Sequence, residues 1–244
     1  MAYMVASGRM RLMRELFSSF KKVFAIAFFS ALGALLWFHG TKMTQPTNVS
    51  FIFQFSRLFT AMVGVSVLGE RLSIRENVGV ALAILGGFII TYTSGVNLAF
   101  ANLILLASAF FYAISYILAK MYIRDLNLIS MATGRSIFIS LMLLAYSSVL
   151  GKLRMDLQYE AIGWGMLGAF FGPFLTILLF YSALDRLEIS KVSAILSTQP
   201  FFTVLFSIVI FNVIPDFGQL VGGAMATVGI MMLTGSSGMG RGRG

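Results

Sequence analysis

Arg57 is the residue whose type and setting point most directly to chemistry. It lies near the middle of an apolar run, Val49–Leu68, long enough to cross a bilayer. A charge at that depth is costly, so arginines there face a cavity or a partner and serve function. Its planar fork matches a carboxylate or a phosphate. Gln54 stands three residues earlier on the same helical face, with Ser50 and Phe53 on nearby faces. In a second run, Val192–Ile214, the matching positions are Ser193, Ser197 and Pro200, with Thr198 and Gln199 between them. A proline frees a backbone carbonyl that a transport helix can present to a cavity. Tyr112 and Tyr116, four apart, share a face of Ala99–Ala119, with Ser108 and Ser115 near the same stripe. Arg57, Gln54, Tyr112, Tyr116 and Gln199 are therefore the expected lining of a substrate site. The plainer alternatives are a carbonyl-paired arginine, and hydroxyls that serve as helix–helix glue. Trp37 and Tyr181 read best as an interfacial aromatic belt.

Other chemistries lack their residues. No cysteine is present, which excludes disulfides, thiolate metal sites and a thiol nucleophile. The lone histidine, His39, sits at a span end, and proton coupling would need a carboxylate beside it. Glu15, Asp125, Asp156, Glu160, Glu188 and Asp216 fall in termini or loops, and no acid falls within a span. A membrane enzyme needs buried His, Asp or Glu to bind metal or move protons. No metal cluster, Gly-rich phosphate loop or catalytic triad appears. No catalytic residue, metal or cofactor is expected.

The elements that position these side chains follow from composition. The 244 residues are 58% hydrophobic and 11% charged. A soluble domain carries about 25% charged residues, so most of this surface faces lipid. A span needs ~20 apolar residues. Eight apolar segments are found: Val23–Phe38, Val49–Leu68, Val78–Tyr92, Ala99–Ala119, Ser130–Leu150, Ile162–Leu184, Val192–Ile214 and Gly218–Leu233. A barrel would show dyad alternation, and open sheet edges cannot sit in lipid, so the segments are helices. Val23–Phe38 and Val78–Tyr92 are short and must borrow neighbours such as His39, Gly40 and Asn77. Arg57 and Arg135 are the basic residues inside spans. Gly8–Lys22 carries Arg9, Arg11, Arg14, Lys21 and Lys22 without a cleavage pattern, so the first span is read as retained.

Most basic residues fall on one side: the N-terminal group, then Arg71, Arg75, Lys120, Arg124, Arg186, Lys191, Arg241 and Arg243. Only Lys42, Lys152 and Arg154 lie opposite. By the positive-inside rule both termini are cytoplasmic, in the cell membrane. The net charge of +9 is explained by these flanks, and no nucleic-acid partner is expected.

The chain also repeats itself. Shifted by 143 positions, Thr47–Gly95 aligns without a gap on Ser190–Gly238. The identities include Val49/Val192, Ile52/Ile195, Phe59/Phe202, Thr60/Thr203, Gly79/Gly222, Ala83/Ala226 and Gly86/Gly229. Upstream, Leu35-Leu36-Trp37-Phe38 lies against Leu178-Leu179-Phe180-Tyr181. The second copy holds five segments and the first three. Five is odd, so successive copies enter the membrane in opposite directions, with a substrate site between them near the midplane. The expected architecture is an all-α integral membrane protein of about eight helices, an incomplete five-plus-five inverted repeat. Its expected divisions are a basic segment 1–22, a truncated first repeat 23–95, a second repeat 96–238 and a basic tail 239–244.

These features resemble the EamA-type branch of the drug/metabolite transporter superfamily. The resemblance rests on Phe59-Thr60-Ala61, Leu68-Gly69-Glu70-Arg71-Leu72-Ser73, Gly79 and Gly86-Gly87. The second copy adds Val192-Ser193-Ala194, Gln199-Pro200-Phe201-Phe202-Thr203, Gly222 and Gly229. It covers roughly residues 20–235. The chain departs from the pattern at Arg57, where the other copy has Pro200. It departs again at Asn212-Val213-Ile214, where the first copy has Gly69-Glu70-Arg71. The resemblance implies ten helices, of which the first two are lacking here. It also implies alternating-access transport of a small metabolite: an amino acid, a sugar or an organic anion. The partners expected are the lipid bilayer, a small-molecule substrate, and a second copy or partner subunit. A non-transporting truncated protein, or a subunit completed by a partner, is the alternative.

Overall fold

The computed structural model describes residues 19–68, 73–93, 96–123, 126–151, 159–187, 192, 195–196, 198–212 and 214–236. The regular elements among them are all helical: α1 (Phe20–Thr41), α2 (Pro46–Phe53), α3 (Phe55–Leu68), α4 (Ile74–Thr93), α5 (Val96–Tyr122), α6 (Leu128–Val149), α7 (Tyr159–Ala169), a π-helical turn (Phe170–Leu175), α8 (Thr176–Arg186), α9 (Gln199–Phe211) and α10 (Phe217–Ser236). The all-α architecture follows the apolar segments. The short first and third segments extend to the 22 residues of α1 and the 20 of α4. Phe20–Thr41, Ala99–Tyr122, Leu128–Val149 and Ile162–Arg186 are long and apolar enough to cross a membrane, and Gln199–Ile210 and Phe217–Met232 are shorter apolar helices.

Three segments read as continuous are interrupted. Val49–Leu68 breaks at Gln54, where the Arg57 amide turns back to the Gln54 carbonyl at 2.9 Å. In Val192–Ile214, α9 starts only at Gln199, with Pro200 in its first turn. Proline belongs there because its missing N–H would have no helical partner. The two breaks fall within one residue of the 143-residue offset. The third interruption is the π turn in Ile162–Leu184. Pro173 cannot donate an i→i−4 bond, and the ladder widens. The Thr176 hydroxyl donates to the Phe171 carbonyl at 3.1 Å and satisfies part of the opened ladder.

The chain divides into two compact units. One comprises Met1–Ala31 and Leu118–Arg186. Here Phe138 of α6 meets Phe20 and Phe24 edge-on, and Lys22 stands over the Tyr122 ring. Lys120 donates to the Leu184 carbonyl near the end of α8, where a cation complements the helix dipole. Tyr181 is fully buried in this unit and not part of an aromatic belt.

The other unit comprises Leu32–Ile117 and Leu187–Gly244. Its spine is the pair α4 and α10, packed antiparallel. A Cβ at Gly86 would overlap the Gly222 carbonyl and the Ala226 backbone. One at Gly229 would overlap the Gly79 carbonyl and the Ala83 backbone. Residues related by the 143 offset thus exchange partners, as a two-fold axis through Ala83 and Ala226 requires. Small residues at i, i+4 and i+7 let the backbones approach this closely. Around the spine, Phe55 lies on Gly87 and Phe51 on Gly223. Phe55 and Leu58 pack with Ala83, Ala109, Ala226 and Ile230. Ser73 and Glu76 form a reciprocal capping box at the start of α4, with bonds of 2.6 and 3.3 Å. Asn212, which stands where the first copy has Gly69, ends α9 at φ 52°, a left-handed conformation that Asn tolerates best after Gly.

Candidate functional site

Arg57 occupies the first turn of α3, directly after the break at Gln54. It is 7% exposed. Its terminal Nη2 donates to the Gln199 carboxamide oxygen at 2.8 Å. Gln199 is the first residue of α9. Two half-helices from the two copies therefore begin at one point and are joined there by a polar bond. Gln199 itself is exposed, so the pair is open on its side. The shielded Nε of Arg57 has no hydrogen-bond partner. Its Nη2 partner is a neutral amide, so no carboxylate quenches the guanidinium there. Helix N-termini carry partial positive charge, and two of them beside a guanidinium make a setting that attracts an anion.

Tyr116 is the ionisable neighbour within electrostatic reach of Arg57. Its ring lies 5.9 Å from that of Tyr112. Tyr112 meets Phe53 edge-on at 5.3 Å and covers Gly33, where a Cβ would stand 2.8 Å from the ring. The tyrosine stripe thus continues from the Arg57 neighbourhood to α1. Both rings are half-buried.

Gln54 takes another place. It is fully buried and donates to the Thr227 hydroxyl of α10 at 3.0 Å, and that hydroxyl lies 3.3 Å from its carbonyl oxygen. Three residues from Arg57 in sequence, it is spent on clamping α2 to α10. Arg57, Gln199, Tyr116 and Tyr112 are brought together, and Gln54 is directed elsewhere. Ser50 donates to its own helix, to the Thr47 carbonyl, and Ser108 to the Gly33 carbonyl of α1. Both act as glue. Ser193, Ser197, Glu70 and Arg71 lie outside the described residues. His39 bonds the Leu35 carbonyl at 2.8 Å. Among the described residues no group of His, Asp and Glu could hold a metal.

Two polar pairs were missed by sequence reasoning. Asn48 donates to Asn102 at 2.6 Å and to Thr44 at 2.9 Å. Arg135 donates to Ser30 at 2.9 Å. The signal for the first existed, since Asn102 interrupts the apolar run of α5 and a buried amide needs a partner.

Comparison with known proteins identifies the family. The EamA-like transporter family model matches residues 3–92 and 99–235. The chain is 25% identical over 211 residues to an uncharacterized transporter of Methanothermobacter thermautotrophicus, covering 84% of this chain and 61% of that protein. It is 22% identical over 209 residues to the uncharacterized transporter YyaM of Bacillus subtilis, covering 82% of this chain and 68% of that protein. The chain thus spans about three fifths to two thirds of the length of these relatives. A solved crystal structure shares the fold, with TM-score 0.58 at 12% identity, covering 93% of this chain and 97% of the other. With the family model on both halves and apolar helices long enough to cross a bilayer, this chain is a multi-pass membrane protein that belongs to the EamA-like transporter family.

Proposed function

We propose that the chain carries a small organic anion or zwitterion across the membrane by alternating access, with Arg57 holding the substrate's negative group. The observation that supports this most is the buried guanidinium whose Nη2 partner, Gln199, is neutral and whose Nε has none. A permanent carboxylate partner would compete with substrate. A neutral amide yields to it at low cost. Tyr112 and Tyr116 supply the stacking wall, and Gln199 shares the anion with Arg57. Gln54 keeps α2 on α10 beside them.

The partner exchange of α4 and α10 across Ala83/Ala226 supports two inverted copies, 23–95 and 96–238. A two-fold of that kind makes the inward-open and outward-open arrangements near mirror uses of one packing. The distribution of Lys and Arg supports cytoplasmic termini. Among the described residues Glu76, Glu160 and Asp185 stand in the first or last turn of their helices, so exchange or facilitated diffusion suits the chain better than proton coupling.

Uptake into proteoliposomes tests the reading, with amino acids, sugars and phosphorylated or carboxylated metabolites as the panel. Arg57→Leu is expected to abolish uptake of the anionic substrate while the variant still inserts and purifies. Gln199→Leu is expected to raise KM more than it lowers the maximal rate. Unchanged uptake by Arg57→Leu overturns the assignment.

A further inference from the structure

We infer that Arg135 is a second oxyanion-binding group, in the other compact unit, taking a carboxylate or phosphate on the free edge of its guanidinium. Arg135 lies two turns into α6, about 10 Å along the helix from its start at 1.5 Å per residue. It is 5% exposed. Its Nε donates to the hydroxyl of Ser30, a fully buried residue at the centre of α1. A guanidinium has five N–H donors. Ser30 takes one, and among the described residues it is the acceptor that Arg135 reaches. The described acids of this unit are Glu160 and Asp185, in the first turn of α7 and the last turn of α8. Both are at helix ends, and neither pairs with it.

A charge held this far inside needs a counter-charge, because a buried ion without a partner is strongly destabilising. Ser30 cannot supply one. It does fix the orientation of the plane: with Nε anchored, the two terminal nitrogens form the fork that grips carboxylate or phosphate with paired bonds. The neighbouring Ser136 hydroxyl is shielded and has no partner. The occupant is an oxyanion of either a soluble solute or an anionic lipid headgroup. This inference stands apart from the transport reading, since it concerns different residues and a binding measurement.

The test uses the full-length protein purified in uncharged detergent, with thermal unfolding as the readout. Inorganic phosphate is added against potassium chloride of equal ionic strength, and phosphatidylglycerol against phosphatidylcholine in a parallel arm. Arg57→Gln serves as background so that the first arginine contributes nothing. The expected result is a saturable rise in midpoint in that background with phosphate, with phosphatidylglycerol, or with both. The rise is lost when Arg135→Gln is added and weakened by Ser30→Ala. Response to phosphate alone identifies a soluble occupant; response to the lipid identifies a headgroup. Arg135→Lys keeps the charge and loses the fork, so it is expected to fold and to bind weakly should the glutamine variant not fold. No saturable rise in either arm, or a rise that survives loss of the Arg135 fork, overturns the inference. Failure of the Arg57 reading shows separately, as intact uptake by Arg57→Leu.

Discussion

Glycines do opposite things in two parts of this molecule. On α4 and α10, Gly86, Gly222 and Gly229 are where two backbones meet, and a single methyl at any of them would enter the partner's carbonyl or amide. On α7 and the π turn, Gly163, Gly165, Gly168 and Gly172 meet nothing, and a methyl there would enter open space. Both sets punctuate apolar helices and look alike as a sequence pattern. The difference is whether the glycine is chosen for what lies opposite it. In the first case small size creates a contact. In the second it leaves helix stability unused, since glycine inside a helix costs about 0.5–1 kcal/mol relative to alanine.

The largest effect should come from filling the first set. Gly86→Val or Gly222→Val places branched carbons against backbone, which cannot move aside as a side chain can. We expect a loss of more than about 3 kcal/mol, seen as a midpoint roughly 6–12 °C lower in detergent or as failure to purify as a single species. The symmetry adds a sharper expectation. Gly86→Ala and Gly229→Ala are related by the 143 offset and make the same kind of contact, so their losses should agree closely. Gly86→Ala combined with Gly222→Ala should be non-additive, because those two sites touch. Unequal losses at Gly86 and Gly229 would break the two-fold description of the spine.

This contrast also marks what could be read in the chain before its fold was known. The eight apolar segments were legible because the bilayer imposes length and hydropathy on any helix that crosses it. The spine was legible as an offset, since each copy carries the same small residues at the same spacing. Arg57 was legible as a charge without reason to be there. The three helix interruptions were not, although Pro173 and Pro200 stood beside two of them; a proline in a span is compatible with a kink, a π turn or a new start, and packing decides which. Gln54 was drawn into the site because it shares a face with Arg57 in an unbroken helix. The break at Gln54 removes that premise, and Thr227, 173 residues further along the chain, takes the amide instead.

A middle-sized effect tests that clamp. Thr227→Val keeps the shape and removes the hydroxyl, leaving the Gln54 amide buried beside a methyl. Hydrogen bonds between membrane helices are worth about 0.6 kcal/mol on average and at most ~1.7. A double-mutant cycle of Gln54→Leu and Thr227→Val should return a coupling in that range by thermal unfolding, with KM for uptake little changed. If the cycle shows no coupling while Gln54→Leu alone raises KM strongly, Gln54 belongs with Arg57 at the substrate and the clamp is secondary.

The smallest effect belongs to the open glycines. Gly165→Ala and Gly168→Ala add a methyl where nothing stands within 4 Å. Alanine restricts the backbone in the unfolded state and favours the helix, so each should be neutral or raise stability by up to about 0.5–1 kcal/mol. The sign carries the information, since the same substitution on the spine is expected to be destabilising. Measured side by side with Gly86→Ala, a rise or no change at α7 and a fall at α4 would separate contact glycines from idle ones. A clear fall at Gly165 or Gly168, with a shift in the mass of the purified particle, would mean that these glycines also make a close contact, supplied by another helix in the membrane. The contrast between the two regions would then be one of partner, intramolecular for α4 and α10 and intermolecular for α7.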